Sequence, residues 1–136
     1  MPDRKPQPPV PGGDLELAVL VALWKRDTPA RAREIYEEVG VPRGVTYTTV
    51  AKVLDRLTAK RMVRRRRNGR TNSYRAIVGK EQTQRALARA ALEQFAEEDP
   101  RPAAASLLGA LEDVSPELLD ELEAELRQRR RDTRGA

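Results

Sequence analysis

Residues 46–76, TYTTVAKVLDRLTAKRMVRRRRNGRTNSYRA, decide the fold class of this chain. The first half places apolar residues at helical spacing, and they form one face made of Tyr47, Val50, Val53, Leu54 and Leu57. Thr46 stands just before this run, where a hydroxyl can cap a helix N-terminus. The second half surrounds Asn68-Gly69, the dipeptide that favours a two-residue type I′ hairpin turn. The stretch therefore predicts a helix followed by a β-hairpin.

The charge of the same region restricts the role of the hairpin. Residues 40–79 contain eleven Lys and Arg and a single acid, Asp55. Arginines occupy both faces of the first predicted strand, so the hairpin must project from the body instead of packing in a core. The whole chain has a net charge of only +5 because residues 80–136 are net acidic. Positive charge concentrated in this way is typical of a protein that binds a polyanion.

Upstream of this stretch the pattern predicts two more helices. Residues 14–24 are apolar nearly all round, which indicates a central helix with Trp24 in the core. A shorter helix is predicted from Ala30 to Val39, with Gly40 just after its end and a turn at 42–44. The order helix, helix, turn, helix, basic hairpin is that of a winged helix-turn-helix DNA-binding domain.

Downstream, helical periodicity returns from residue 80. Three short helices with Ala and Leu faces are predicted, and the last begins at Ser115-Pro116-Glu117 and ends in the basic run 127–131. Such helices cannot enclose a good core alone, and a protein that binds a DNA dyad needs two-fold symmetry. We therefore expect them to form a dimer through Leu87, Ala91, Phe95, Leu107, Leu108, Leu111, Leu119, Leu122 and Leu126.

The predicted fold class is mainly α with a small β wing. An N-terminal winged helix-turn-helix is followed by C-terminal dimerisation helices. The predicted domain organisation is a disordered Pro-rich tail over residues 1–13, a DNA-binding domain over 14–79, a helical dimerisation region over 80–131 and a tail over 132–136.

Composition excludes several classes of function. The 136 residues include no Cys and no His, which excludes thiolate or imidazole metal sites and His-based acid–base catalysis. No apolar run approaches the roughly 20 residues that span a bilayer, and residues 1–13 lack the apolar core of a signal peptide. We therefore expect a cytoplasmic protein that is not an enzyme, binds no metal or cofactor and does not insert into membranes.

The polar face of the third helix and the basic hairpin supply the predicted DNA contacts. Thr48, Thr49 and Lys52 are expected to face base edges in the major groove. Thr46 and Arg56 are expected nearer phosphates, and the hairpin arginines are expected along the backbone or minor groove. The full predicted set is Thr46, Thr48, Thr49, Lys52, Arg56, Arg65, Arg66, Arg67 and Arg70.

The chain also carries short motifs over about residues 14–130. They are Asp14-Leu15-Glu16, Leu23-Trp24, Arg33-Glu34-Ile35, Thr46-Tyr47-Thr48-Thr49-Val50, Val53-Leu54-Asp55-Arg56-Leu57 and Tyr74. Together they resemble the penicillinase-repressor family of the BlaI/MecI/CopY type. The resemblance implies a homodimeric transcriptional repressor that binds a palindromic operator in double-stranded DNA, with interlocking C-terminal helices. For antibiotic-responsive members it also implies a membrane sensor protease that leads to cleavage of the repressor.

Three departures from the family pattern narrow this expectation. The copper-responsive branch relies on C-terminal cysteines, which this chain does not have, so copper sensing by thiolates is excluded. Arg31 stands where many members have a Thr cap, which predicts a weaker start of the second helix. Gly109-Ala110 stands where cleavable members have an Asn-Phe pair. Whether a sensor protease cleaves this chain is therefore left open by the sequence.

Two other classes of protein share the same pattern of elements. One is a winged-helix module that binds proteins, although such a module has no need of so one-sided a basic charge. The other is a ligand-responsive regulator of the PadR or MarR type, although an aromatic content of 4% shows no obvious ligand pocket. The operator sequence, the regulated genes and the inducing signal lie beyond what the sequence predicts.

Overall fold

The computed structural model describes residues 9–95 and 99–135, in two compact units that divide between Ala88 and Arg89. Residues 1–8 of the predicted tail and residues 96–98 lie outside the described part of the chain. The elements, in order, are α1 (Asp14–Trp24), β1 (Ala30–Arg31), α2 (Ala32–Ile35), a π-helical turn (Tyr36–Gly40), α3 (Val41–Arg43), α4 (Tyr47–Ala59), β2 (Val63–Asn68), β3 (Thr71–Ala76), α5 (Lys80–Phe95), α6 (Arg101–Val114) and α7 (Glu117–Arg134).

The core of the first unit lies between α1, α4 and one face of a three-stranded antiparallel sheet, whose strand order is β1-β3-β2. Its fully buried side chains include Val19 and Leu20 of α1, Ile35 of α2, Val50, Val53, Leu54 and Leu57 of α4, Met62 of the link to the sheet and Val63 of β2. Trp24 is half-buried at the edge of this core, and its Nε1 donates to the carbonyl oxygen of Val78 at 3.0 Å. The predicted class, mainly α with a small β wing, is confirmed.

The second helix differs from its prediction at both ends. Ala30 does not begin a helix but pairs with Tyr74 in the sheet. The helical backbone also continues past Gly40 to Arg43, because Pro42 lies in the first turn of α3, where its missing N–H costs nothing. Gly44, with φ 67°, is the left-handed residue that ends it.

Gly40 has a packing role instead of the predicted capping role. Its φ is −75°, an ordinary helical value. A Cβ at this position would lie 2.8 Å from the Tyr36 ring and 3.0 Å from Val50. Glycine is therefore needed here for the close approach of the π-helical turn to α4.

The start of α2 compensates for the Arg cap that the sequence analysis singled out. The Arg31 side chain has no acceptor and cannot cap backbone N–H groups. Glu34 acts from the other side, because its Oε1 accepts from the Arg31 backbone N–H at 3.0 Å. This hydrogen bond is the main reason that the pKa of Glu34 is lowered, and Arg26 lowers it further. The helix start thus keeps one half of a capping box.

The hairpin forms as predicted, but its turn is displaced by one residue. Asn68 pairs with Thr71 as the last rung of the ladder, so the two loop residues are Gly69 and Arg70, not Asn68 and Gly69. Gly69 has φ 63°, and Arg70 has no positive φ. A left-handed glycine at the first loop position alone is the pattern of a type II′ turn. The predicted type I′ turn is therefore wrong.

Helix α4 ends in a motif that normally uses glycine. Arg61 has φ 60°, its N–H donates to the Thr58 carbonyl at 3.1 Å, and the Met62 N–H donates to the Leu57 carbonyl at 2.9 Å. These are the two hydrogen bonds of a Schellman motif. The side chain of Met62 is fully buried, which offsets the cost of a left-handed Arg61.

In the second unit, α6 and α7 pack against each other. Helix α7 continues to Arg134, beyond the predicted end at Arg131, so most of the predicted tail over 132–136 is helical. Two side-chain hydrogen bonds one turn apart join the extension to the predicted helix: Gln128 Nε2 donates to Asp132 Oδ1 at 3.0 Å, and Thr133 Oγ1 donates to the Arg129 carbonyl at 2.9 Å. The predicted cap hydroxyl of Ser115 instead donates to Glu117 Oε2 at 2.6 Å.

Candidate nucleic-acid interface

Helix α4 presents a polar row to solvent. Thr48, Lys52 and Arg56 are all exposed, and their spacing of four residues places them on one side of the helix. The opposite side is buried, through Val50, Val53, Leu54 and Leu57. A hydroxyl, an ammonium and a guanidinium in a row are donors that suit base edges and phosphates. The core thus holds this row in a fixed orientation.

The first turn of α4 is capped as predicted. Thr46 Oγ1 accepts from the Thr49 N–H at 3.2 Å, and the two hydroxyl oxygens lie 3.0 Å apart. Thr49 is half-buried, so its hydroxyl belongs first to this cap. Tyr47 was predicted to face inward, but 44% of it is exposed, and its ring meets Tyr36 edge-on at a centroid distance of 5.8 Å. Thr48 and Lys52 are therefore more accessible than Thr49 to another molecule.

One acidic residue joins the helix to the wing. Asp55 Oδ1 lies 3.5 Å from Arg65 Nη1, and both side chains flank Tyr74. Burial is the main cause that raises the pKa of Tyr74, Asp55 raises it further, and Arg65 opposes both. The sequence analysis did not identify this link. The position of Asp55 as the lone acid among the basic residues 40–79 could have indicated that it pairs with one of the arginines.

The wing arginines divide between two faces of the sheet. Arg65 is the register partner of the buried Tyr74, and Arg67 shares its face, because side chains alternate along a strand. Arg66 is the partner of Ser73 and lies on the opposite face. Arg70 is exposed in the turn, where Arg67 Nε also donates to the Gly69 carbonyl at 3.1 Å. The predicted wing contacts therefore do not form one surface.

A partly buried ion pair ties the N-terminal segment to the end of α4. Lys60 Nζ lies 3.0 Å from Glu16 Oε1 and donates to the Val10 carbonyl at 2.8 Å. Glu16 is 9% exposed, so its charge needs this partner. Sequence reasoning missed this pair because it joins residues 44 positions apart. It anchors α1 to α4 and supports the orientation of the interface.

The predicted dimerisation residues are distributed over α5, α6 and α7. Leu107, Leu108 and Leu126 are 40%, 47% and 54% exposed. The half-buried members of the predicted set are Leu87, Ala91, Leu111, Leu119 and Leu122. The side chain of Phe95 lies outside the described part of the structure. A cavity of about 510 Å³ also runs along α6, lined by Pro102, Ala103, Ser106, Leu107 and Ala110.

Two searches over residues 9–95 and 99–135 give negative findings. No helix in these ranges is long and apolar enough to cross a membrane. No cluster of three or more His, Cys, Asp or Glu side chains in them could hold a metal ion.

Comparison with known proteins agrees with the class that the fold and the interface define, a winged-helix DNA-binding regulator. The model of the penicillinase repressor family matches residues 12–128. The chain belongs to this family, whose members are DNA-binding transcriptional repressors. The predicted resemblance is confirmed.

Three individual proteins illustrate how similar this chain is to known regulators. The transcriptional regulator BlaI of Mycobacterium tuberculosis is 37% identical over 92 residues, which are 68% of this chain and 67% of BlaI. A homodimeric winged helix-turn-helix DNA-binding domain from Mycobacterium bovis is 21% identical, with 62% of this chain and 73% of that one covered and a TM-score of 0.43. The PcaV regulator of Streptomyces coelicolor, solved with its natural ligand, is 23% identical, with 76% of each chain covered and a TM-score of 0.45.

Proposed function

We propose that this chain represses transcription as a homodimer on a palindromic operator, with α4 of each copy in the major groove and the wing beside it. The observation that supports this most is the exposed row Thr48–Lys52–Arg56 on a helix whose other side is buried. The Asp55–Arg65 pair couples this helix to the wing, so the two elements meet DNA as one surface.

Base readout and backbone binding are divided between the residues. Thr48 and Lys52 reach base edges, with Thr49 beside them, and Thr46 and Arg56 lie nearer phosphates. Arg65, Arg67 and Arg70 follow the backbone from the α4 side and the tip of the wing. Arg66 points away from α4, so a contact from it to the same duplex stays a prediction.

A second copy of the chain is the proposed partner of the C-terminal helices. Leu107, Leu108 and Leu126 leave large apolar surfaces in water, and burial of such surface stabilises by about 25 cal/mol per Å². A two-fold partner would cover these side chains and bring two α4 helices to the two half-sites of a dyad. The domain division at 14–79 and 80–131 stays a prediction within this proposal.

DNA selection and salt titration test the proposed function. Duplexes recovered from a random pool by the full chain should contain two symmetric half-sites, spaced by one helical turn or a multiple of it. If a dimer neutralises roughly six to ten phosphates, affinity should fall by about 10³ to 10⁵ between 50 and 200 mM salt. Recovery of no preferred sequence, with an affinity that salt leaves unchanged, would favour a protein-binding module instead.

Release from DNA is proposed to occur without the cleavage that the family resemblance implies. Gly109 and Ala110 lie in helix α6 where cleavable members have an Asn-Phe pair, and neither offers a bulky aromatic side chain to fill a protease pocket. Two routes remain, a cut at an unrelated site between about residues 97 and 111 or a signal that changes dimer packing without any cut, and we propose the second. The intact mass of the protein in cells before and after cell-wall antibiotic stress tests this, and a fragment pair split at Gly109-Ala110 would refute it.

A further inference from the structure

The outer face of the sheet, which points away from α4, carries a cluster of four arginines. Residues directly opposite in an antiparallel ladder share a face. Ser73 is the partner of Arg31 in β1 and of Arg66 in β2, and two rungs away, on the same face, Arg64 is directly opposite Arg75. All four arginines are exposed. They surround one hydroxyl, and the inner face of the same sheet is occupied by the buried Tyr74.

Arg31 lies near the Glu34 carboxylate, but the other three arginines lack the acidic partner that the inner face has. Arg65, on the inner face, pairs with Asp55. Among the described residues no carboxylate forms an ion pair with Arg64, Arg66 or Arg75. Like charges directly opposite on a sheet destabilise it, so the Arg64–Arg75 rung costs stability that an anion would restore.

The cluster also lines a concave site. A cavity of about 310 Å³ is formed by Pro29, Arg64, Arg66, Ser73 and Arg75. Arg75 Nη2 donates to the Asp27 carbonyl at 3.1 Å, which orients its guanidinium while leaving its other N–H groups available. The volume is near the lower end of the range for small-molecule sites, roughly 300–1,000 Å³.

We propose that this outer-face cavity, the Arg64–Arg66–Arg75 site, binds a compact polyphosphate anion. Guanidinium groups bind phosphate oxygens in a bidentate manner, and several of them around one cavity suit adjacent phosphates better than a single charge. The Ser73 hydroxyl donates to the Arg66 carbonyl at 3.4 Å, a long hydrogen bond that it would exchange for one to the anion. This inference goes beyond the proposed function, because it concerns a face of the sheet that does not adjoin the recognition helix.

A small anion fits this site better than the duplex does. Helix α4 packs on the side of the sheet that holds Tyr74 and Arg65, so a duplex bound to α4 approaches from that side. A DNA duplex is also convex and much wider than a cavity of about 310 Å³. The outer face is therefore free to bind its own ligand while α4 contacts DNA.

Calorimetric titration of the full chain with inorganic pyrophosphate, at constant ionic strength, tests the site without DNA. We expect saturable binding that weakens about tenfold or more in Arg64→Gln and in Arg75→Gln. The matched control is Arg65→Gln, which removes the same charge from the inner face of the same strand pair. This control should stay within about twofold of the parent, and the melting temperature of each variant verifies folding.

The result that overturns the proposal is either the absence of saturable binding or an equal loss in the control, which would indicate general charge attraction. A second measurement separates the site from DNA binding. The affinity of Arg64→Gln for a duplex selected from a random pool should stay close to that of the parent chain. A loss as large as that of Lys52→Ala would place the outer face against DNA and refute a separate anion site. Failure of the chain to bind any duplex would contradict the proposed function but leave the pyrophosphate result intact.

Discussion

At the scale of the residue, the interface depends on a few polar contacts that hold donors in place. Asp55 holds Arg65 against Tyr74, and Lys60 neutralises the buried Glu16. An unpaired charge on the buried Glu16 would destabilise the fold, and an unpaired charge on the exposed Asp55 would repel DNA. Lys52 has neither role, since it is exposed on α4 and no hydrogen bond holds it within the described residues. It is therefore the clearest candidate for contact with a base.

Lys52→Ala tests base readout. We expect a loss of about 1–3 kcal/mol in binding free energy on the preferred duplex and a relaxed preference at one or two base pairs, because a base contact is lost. Lys25→Ala removes the same charge from an exposed position at the end of α1 and should have little effect. Equal losses on preferred and random DNA would show that Lys52 contacts phosphate instead.

At the scale of the element, two left-handed residues, Arg61 and Gly69, stand on either side of β2. Gly69 permits the tight turn at the tip of the wing, and Arg61 ends α4 with a backbone conformation that favours glycine. Arg61 sets the position of the hairpin relative to α4, because β2 begins two residues after it, whereas Gly69 lies at the far end of β2.

Gly69→Ala should destabilise the protein by about 1–2 kcal/mol, because a Cβ is disfavoured at φ 63°. Asn68→Ala is the matched control and should change stability by less than about 0.5 kcal/mol, since Asn68 is a strand residue without positive φ. Chemical denaturation measures both. Comparable losses would support a turn centred on Asn68-Gly69 and contradict the register described here.

Arg61→Gly should stabilise the chain by up to about 1 kcal/mol, because it relieves the left-handed conformation at the end of α4. Ala59→Gly, at the last residue of the same helix, should instead cost roughly 0.5–1 kcal/mol. Thermal unfolding of both variants beside the parent gives the comparison. A loss of stability in Arg61→Gly would mean that the Arg61 side chain contributes more than its backbone costs.

At the scale of the whole molecule, the two units have opposite character. The first unit has a closed core and an exposed basic surface, whereas the helices of the second unit expose leucines. A single copy leaves these leucines exposed to water, so the oligomeric state depends on which surface covers them. Dimerisation also raises the effective concentration of the second DNA-binding unit once the first has bound.

Leu108→Glu and Leu126→Glu should each convert the dimer to a monomer at micromolar concentration, because burial of an unpaired carboxylate is costly. Binding to a two-site duplex should weaken more than binding to a single half-site. Ile77→Glu is the matched control, since Ile77 is 50% exposed in the first unit and should leave the dimer intact. Sedimentation measures the assembly directly, and a dimer that survives both leucine changes would place its interface elsewhere.

The sequence by itself determined the class of fold, the helical face of α4 with its Thr46 cap, the existence of the hairpin and the family. These features depend on local periodicity, on the chemistry of caps and turns, and on motif identity, and each of these involves residues that are close together in the sequence. Only the tertiary structure decided the packing role of Gly40, the Asp55–Arg65–Tyr74 contact and the division of the wing arginines between two faces. Each of these depends on which distant residues meet, and on a ladder register in which a shift of one residue exchanges the faces of every side chain. The turn position at Gly69-Arg70 belongs to the same group, because strand pairing across the sheet overrode the local preference of Asn-Gly.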